Sequence, residues 1–99
     1  MSRSLKRNVS VKSERLLERW GVERLLADGA AVAAVGPAYD LRDGDRARLA
    51  FARGSDGELC IGVAIERDGR WTMEEGEPYS ARTLGYYQRW LKRHGEREP

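Results

Sequence analysis

Three Asp-Gly pairs punctuate the middle of this chain: Asp43-Gly44, Asp56-Gly57 and Asp68-Gly69, with their glycines thirteen and twelve residues apart. Between them apolar residues alternate, as in Leu59, Ile61, Val63 and Ile65. Alternation bounded by Asp-Gly is the signature of antiparallel hairpins, because glycine accepts the positive φ that a tight reversal needs. The spacing therefore predicts a β-meander.

Side chains on a strand alternate between faces, so parity fixes which loop can work. Leu59, Ile61, Val63 and Ile65 share one face, as do Ala47, Leu49 and Phe51, and Trp71 and Met73. For all three sets to face one core, each loop must hold an odd number of residues. A three-residue x-Asp-Gly loop satisfies this and pairs Ile65 with Trp71, Val63 with Met73, Phe51 with Ile61 and Leu49 with Val63. A two-residue Asp-Gly turn would set Trp71 opposite Glu66, on the other face. The same rule pairs Tyr39 with Ala47 and makes residues around 31–41 a first strand, which Gly36-Pro37 places at an edge or a bulge.

Helical signals flank the meander. The N-terminal segment opens near Ser13, an N-cap residue type, and closes at Gly29. At 100° per residue Leu16, Leu17 and Trp20 fall on one arc, and Val22, Leu25 and Leu26 on nearly the opposite one, so a single straight helix would expose one set. A break at Gly21 lets two short helices turn both sets inward. The C-terminal helix starts near Ser80, after Pro78, and ends at Gly95, with Leu84, Tyr87, Trp90 and Leu91 as its apolar stripe.

The expected fold is thus α+β: an N-terminal helical segment broken at Gly21, an antiparallel three- to four-stranded meander, and a C-terminal helix packed on the sheet. A chain of 99 residues, 40% of them hydrophobic, suits one domain. The expected organisation is a basic flexible arm over 1–12, the domain over 13–95 and a frayed tail over 96–99. The start of the sequence lacks a signal-peptide core and no stretch is apolar enough for a membrane helix. A single cysteine, Cys60, forms no intrachain disulfide, which fits a reducing, cytoplasmic setting.

The net charge of +2 hides a segregation. Residues 1–12 carry Arg3, Lys6, Arg7 and Lys12 and no acid; residues 82–99 carry Arg82, Arg89, Lys92, Arg93 and Arg97 against Glu96 and Glu98; the middle is acidic. Basic ends on an acidic body suit an acidic partner. The densest constellation lies on the C-terminal helix, where Arg82, Arg89, Lys92 and Arg93 project within an arc of about 100°. Tyr86 and Trp90 border that arc, and cations beside aromatics suit phosphate contact with base stacking. The simpler account is a solvated outer face whose last cations complement the helix dipole.

Chemistry-bearing motifs are missing. Asp40, Asp43 and Asp45 lack calcium-loop spacing, since the twelfth position counted from Asp40 is Phe51. Glu74, Glu75 and Glu77 read as a solvated strand edge and as a secondary acidic contact patch. His94 has no second ligand near it, and Cys60 falls within a strand. No glycine-rich phosphate loop, zinc spacing or serine elbow is present. No enzyme activity, cofactor, metal, membrane or small-molecule substrate is expected.

Two segments resemble known DNA-binding modules. Leu17-Glu18-Arg19-Trp20-Gly21-Val22 resembles the turn of a helix-turn-helix motif, which implies a dimeric regulator. The following helix departs from the pattern with Glu23 and Asp28 and an early end at Gly29. Residues from Arg70-Trp71 to Trp90 resemble the three-strand-plus-helix domains of some phage integrases, but Glu74, Glu75 and Glu77 depart from their cationic sheet face. The leading expectation is a small non-enzymatic protein that docks on nucleic acid or on a protein complex through Arg82, Tyr86, Arg89, Trp90, Lys92 and Arg93. The alternatives are an inhibitor or adaptor of the phage or mobile-element type and a helix-turn-helix regulator.

Overall fold

The computed structural model describes residues 11–97, with side chains throughout except at residues 11–14 and Glu74. Most of the basic arm expected over 1–12 therefore lies outside the described residues. The chain runs α1 (Val11–Trp20), α2 (Val22–Ala27), β1 (Ala33–Leu41), β2 (Arg46–Arg53), β3 (Leu59–Arg67), β4 (Arg70–Pro78), α3 (Ala81–His94) and β5 (Gly95–Arg97). It is an α+β fold on one antiparallel sheet ordered β4-β3-β2-β1-β5.

The break at Gly21 is real. Gly21 adopts the left-handed conformation (φ 67°, ψ 31°) between α1 and α2, a geometry that costs glycine nothing. The turn buries Val22 completely and lays Leu16, Leu17, Trp20 and Leu26 against the core, while Leu25 stays 40% exposed. The α2 terminus is closed by a pair of bonds, Gly29 N–H to the Leu26 carbonyl and Ala30 N–H to that of Leu25, the arrangement a left-handed C′ glycine allows. Ser13 lies inside α1 rather than capping it.

Two hairpin registers follow the parity rule. Leu49 pairs with Val63, Phe51 with Ile61 and Tyr39 with Ala47. In each loop the aspartate fixes the turn: Asp43 Oδ1 accepts from Asp45 N–H and Asp56 Oδ1 from Glu58 N–H, both at 3.0 Å. The β1 bulge falls between Val35 and Tyr39, so Gly36-Pro37 sits in it, where proline's missing donor is not needed by the ladder.

The third hairpin overturns the expectation. Asp68 (φ 54°) and Gly69 (φ 77°) form a two-residue turn, with Arg67 paired to Arg70 and Glu66 to Trp71. Successive positive φ values match the right-handed strand twist. Trp71 and Met73 consequently face away from the helices, not into the core with Ile65 and Val63. They meet a row of small residues: Ala50, Gly62 and Ala64 are buried on that side. A bulge between Gly62 and Ala64 then resets the register, so that Glu77 lies opposite Ile61. The strand passes so close there that a Cβ at position 62 would lie 2.2 Å from the Glu75 carbonyl oxygen.

The other side of the sheet carries the core. Ala33, Val35, Tyr39, Ala47, Leu49, Phe51 and Ile61 pack under Val22, Leu84, Tyr87 and Leu91. Phe51 is fully buried, between Trp20 at 6.2 Å and Tyr79 at 5.6 Å between ring centroids; burial of such a side chain contributes about 1.5–3 kcal/mol. Among the described residues the sheet has five strands, more than the three or four expected, because Gly95–Arg97 pairs with Tyr39–Leu41. Residues 98–99 lie outside the described residues.

Candidate functional site

Helix α3 begins in a capping box. Ser80 Oγ accepts from Thr83 N–H at 3.1 Å, and Thr83 Oγ1 accepts from Ser80 N–H at 2.9 Å. Both bonds satisfy donors that the first turn leaves unpaired. Leu84, Tyr87 and Leu91 recur at helical spacing and are buried, which presses one face of α3 onto β1, β2 and β3 and points the opposite face at solvent.

That outward face holds Arg82, Arg89, Lys92 and Arg93, all exposed. None of them is ion-paired with another described residue; the ion pairs lie elsewhere, as in Arg46–Glu66, Arg53–Glu23 and Arg67–Asp45. No aspartate or glutamate occurs between Ala81 and His94. The helix dipole favours Lys92, Arg93 and His94 in the last turn, yet it opposes Arg82 in the first turn and does nothing for Arg89. Arg89 and Arg93, four apart, also repel one another. Dipole complementarity therefore accounts for only half of the cluster.

The two aromatics expected at this site divide. Tyr86 is 51% exposed, its ring edge-on to Tyr87 with centroids 4.9 Å apart. Trp90 is half-buried against the core, and His94 lies tilted against it, with centroids 4.4 Å apart and planes 30° apart. Trp90 is thus chiefly a packing residue, and Tyr86 the aromatic presented to solvent.

Of the acidic patch, Glu75 and Glu77 are exposed, and the side chain of Glu74 lies outside the described residues. Tyr87 Oη donates to Glu77 Oε2 at 2.8 Å, so Glu77 is fastened beside the inner flank of α3. Burial, reinforced by this carboxylate, pushes the Tyr87 hydroxyl well above the ordinary tyrosine value.

Sequence reasoning missed two groupings. The β1–β2 loop brings Arg42 to a shallow depression at the end of α3, which it lines together with Asp40, Leu41, Arg93, His94, Gly95 and Glu96. The signal was the closure of β5 onto β1, too short to read from three residues. On the side of the sheet away from the helices, Arg46 and Arg48 stand over the Trp71 ring at 5.9 and 5.4 Å from its centroid. Both are engaged within the fold: Arg46 pairs with Glu66 at 2.8 Å, and Arg48 Nε donates to the Gly36 carbonyl at 3.1 Å. The row of small residues at Ala50, Gly62 and Ala64 was the available signal for a large side chain on that face.

Other expected placements are plain. Cys60 faces the same side as Gly62, while His94 lies on α3 across the sheet, so the two do not meet. Among the described residues no group of three or more histidine, cysteine, aspartate or glutamate side chains is placed to hold a metal ion, and no helix is long and apolar enough to cross a membrane. Helix α2 has six residues, with Val22 buried and Glu23 ion-paired to Arg53, which leaves little surface for reading a DNA groove. Comparison with protein-family models, with curated proteins and with solved structures finds no match in any of the three.

Proposed function

We propose that this protein is a small binding protein, without catalytic chemistry of its own, that docks on an acidic partner through the outward face of α3. The observation that carries this reading is a fourteen-residue surface helix with no acid, four exposed cations that pair with no acid among the described residues, and an exposed tyrosine beside them. Placing Arg82 against the dipole and Arg89 beside Arg93 is unfavourable for the isolated fold, and a partner anion removes both penalties.

Nucleic acid is the partner this chemistry suits best. Arginine forks match phosphate oxygens, and the cations act by displacing condensed counterions. Glu77 is occupied by Tyr87, so the acidic patch supports this reading less as a contact surface than as a border that turns phosphates towards the C-terminal half of α3.

Fluorescence anisotropy with labelled nucleic acid, at low and moderate salt, tests the proposal. The native chain should bind at micromolar concentration or tighter, with log affinity falling against log salt at a slope of about −3 for up to four phosphate contacts. The variant Arg89→Glu, Lys92→Glu, Arg93→Glu should lose binding. Absence of binding at low salt would remove nucleic acid and leave an acidic protein surface as the partner to seek.

A further inference from the structure

Resting on the proposed nucleic-acid reading, we infer that the strand taken by α3 is single and unpaired, with Tyr86 as the platform on which one base stacks. Arg82, Tyr86, Arg89 and Arg93 are spaced four, three and four residues apart, which aligns them as one ridge along the helix. At 1.5 Å per residue that ridge is about 16 Å long, room for two or three consecutive phosphates of an extended strand. Along the helix axis Tyr86 lies between Arg82 and Arg89, at the edge of the cationic arc.

An exposed phenol ring there gains nothing from a duplex, whose bases are stacked on one another. A single strand offers the π-face of every base. Trp90 does not compete for this role, because one side of its indole is covered by His94 and the rest packs on the core.

Gly85 supports the same geometry. It falls within the cationic arc, and a methyl group at this position would lie 3.1 Å from Arg89 Nη1. The Arg89 guanidinium thus lies back along the helix onto the turn that bears Tyr86. The cation and the exposed ring thus lie within one turn of the helix, close enough for one base and its own phosphate to meet both. No asparagine, aspartate or glutamate occupies the arc, and Gln88 sits half-buried on its flank. The amide and carboxylate groups that read adenine and cytosine edges are therefore missing from the ridge, which leaves arginine on guanine as its one side-chain base contact and stacking, which every base offers, as the main one.

The test compares the full chain's binding to an oligothymidylate of about fifteen nucleotides and to a duplex of the same length, site sizes of this order being usual for a stacking groove. The single strand should bind at least about tenfold more tightly. Tyr86→Ala and Tyr86→Leu should each weaken it about five- to a hundredfold, and Tyr86→Phe should stay within about twofold. Thermal melting of each variant checks that the fold is intact; Leu keeps the apolar bulk, so loss with Leu and retention with Phe isolates the ring. If the charge-reversed variant loses binding but the duplex binds as well as the single strand, or Tyr86→Ala and Tyr86→Leu bind normally, the basic face stands and this inference falls. If neither nucleic acid binds the native chain at low salt, both fall together.

Discussion

The two sides of the sheet are built on opposite plans. Facing the helices, Leu49, Phe51 and Ile61 interlock with Val22, Leu84 and Leu91 in a continuous buried cluster. Facing away, the strands carry a floor of alanine and glycine at positions 50, 62 and 64, and on it lie Trp71 and Met73 with arginines at their border. One side excludes water by matching large residues to large ones; the other seats two large residues on small ones. A single two-residue turn at Asp68-Gly69 decides which plan Trp71 joins, since adding or removing one loop residue exchanges the faces of everything that follows.

The contrast is broken most directly by truncating one ring on each side. Phe51→Ala should cost about 3–5 kcal/mol in urea unfolding, because Phe51 is wholly buried between two other rings. Trp71→Ala should cost about 2 kcal/mol, since Trp71 is half-exposed and part of its contact is with arginine. Equal costs would mean that the outer floor is as tightly closed as the core.

Gly62→Ala probes the floor itself. The new methyl would meet the Glu75 carbonyl oxygen at 2.2 Å and the Met73 Sδ at 3.2 Å. The thioether is flexible and can yield, but the backbone carbonyl cannot move without opening the β3–β4 ladder. A loss of about 1–3 kcal/mol is expected, with amide exchange accelerated in β4 more than in β1 or β2. Unchanged stability would show that the bulge adapts freely.

On the helical side, the Tyr87–Glu77 bond supplies a pH signature. The Tyr87 hydroxyl is held protonated above its ordinary value of 10.0, first by burial and then by the carboxylate. A raised folded-state value means that this contribution is complete below pH 10 and is lost as pH rises beyond it, because the unfolded tyrosine ionises first. Tyr87→Phe should lower stability by about 1 kcal/mol at neutral pH and should flatten the alkaline decline seen in the native chain. Parallel alkaline profiles for the two proteins would deny the bond.

How much of this was legible follows from what each element depends on. The break at Gly21, the C-cap at Gly29, the α3 limits at Ser80 and Gly95, and the β1–β2 and β2–β3 registers rest on local rules of capping, parity and turn chemistry. The cationic arc of α3 is likewise helical geometry, and its residues are exposed as expected. The β3–β4 register was not legible, because Asp-Gly serves both two- and three-residue loops, and the choice went to the turn that suits the strand twist and the small-residue floor. β5 escaped because three residues after a helix carry no periodicity. Trp90 borders both the core stripe and the cations on the wheel, so the sequence assigns it to both, and its half-buried packing against the core agrees with the stripe.

The smallest expected effect tests how the outer face holds its tryptophan. Arg48 lies over the Trp71 ring while its Nε is tied to the Gly36 carbonyl at the β1 bulge. It therefore links the strand that carries the bulge to a residue two strands beyond β1's own partner. In a double-mutant cycle, Arg48→Met keeps the aliphatic stem and removes the charge, and Trp71→Leu keeps apolar contact and removes the ring. The coupling should be about 0.5–1 kcal/mol, as for a partly exposed cation over an aromatic ring. It should persist at high salt, because the pair is not an ion pair and the Gly36 bond fixes the guanidinium in place. A coupling near zero would leave the small-residue floor alone to hold Trp71, and the arginines over it would be packing stems that serve only Glu66 and the bulge.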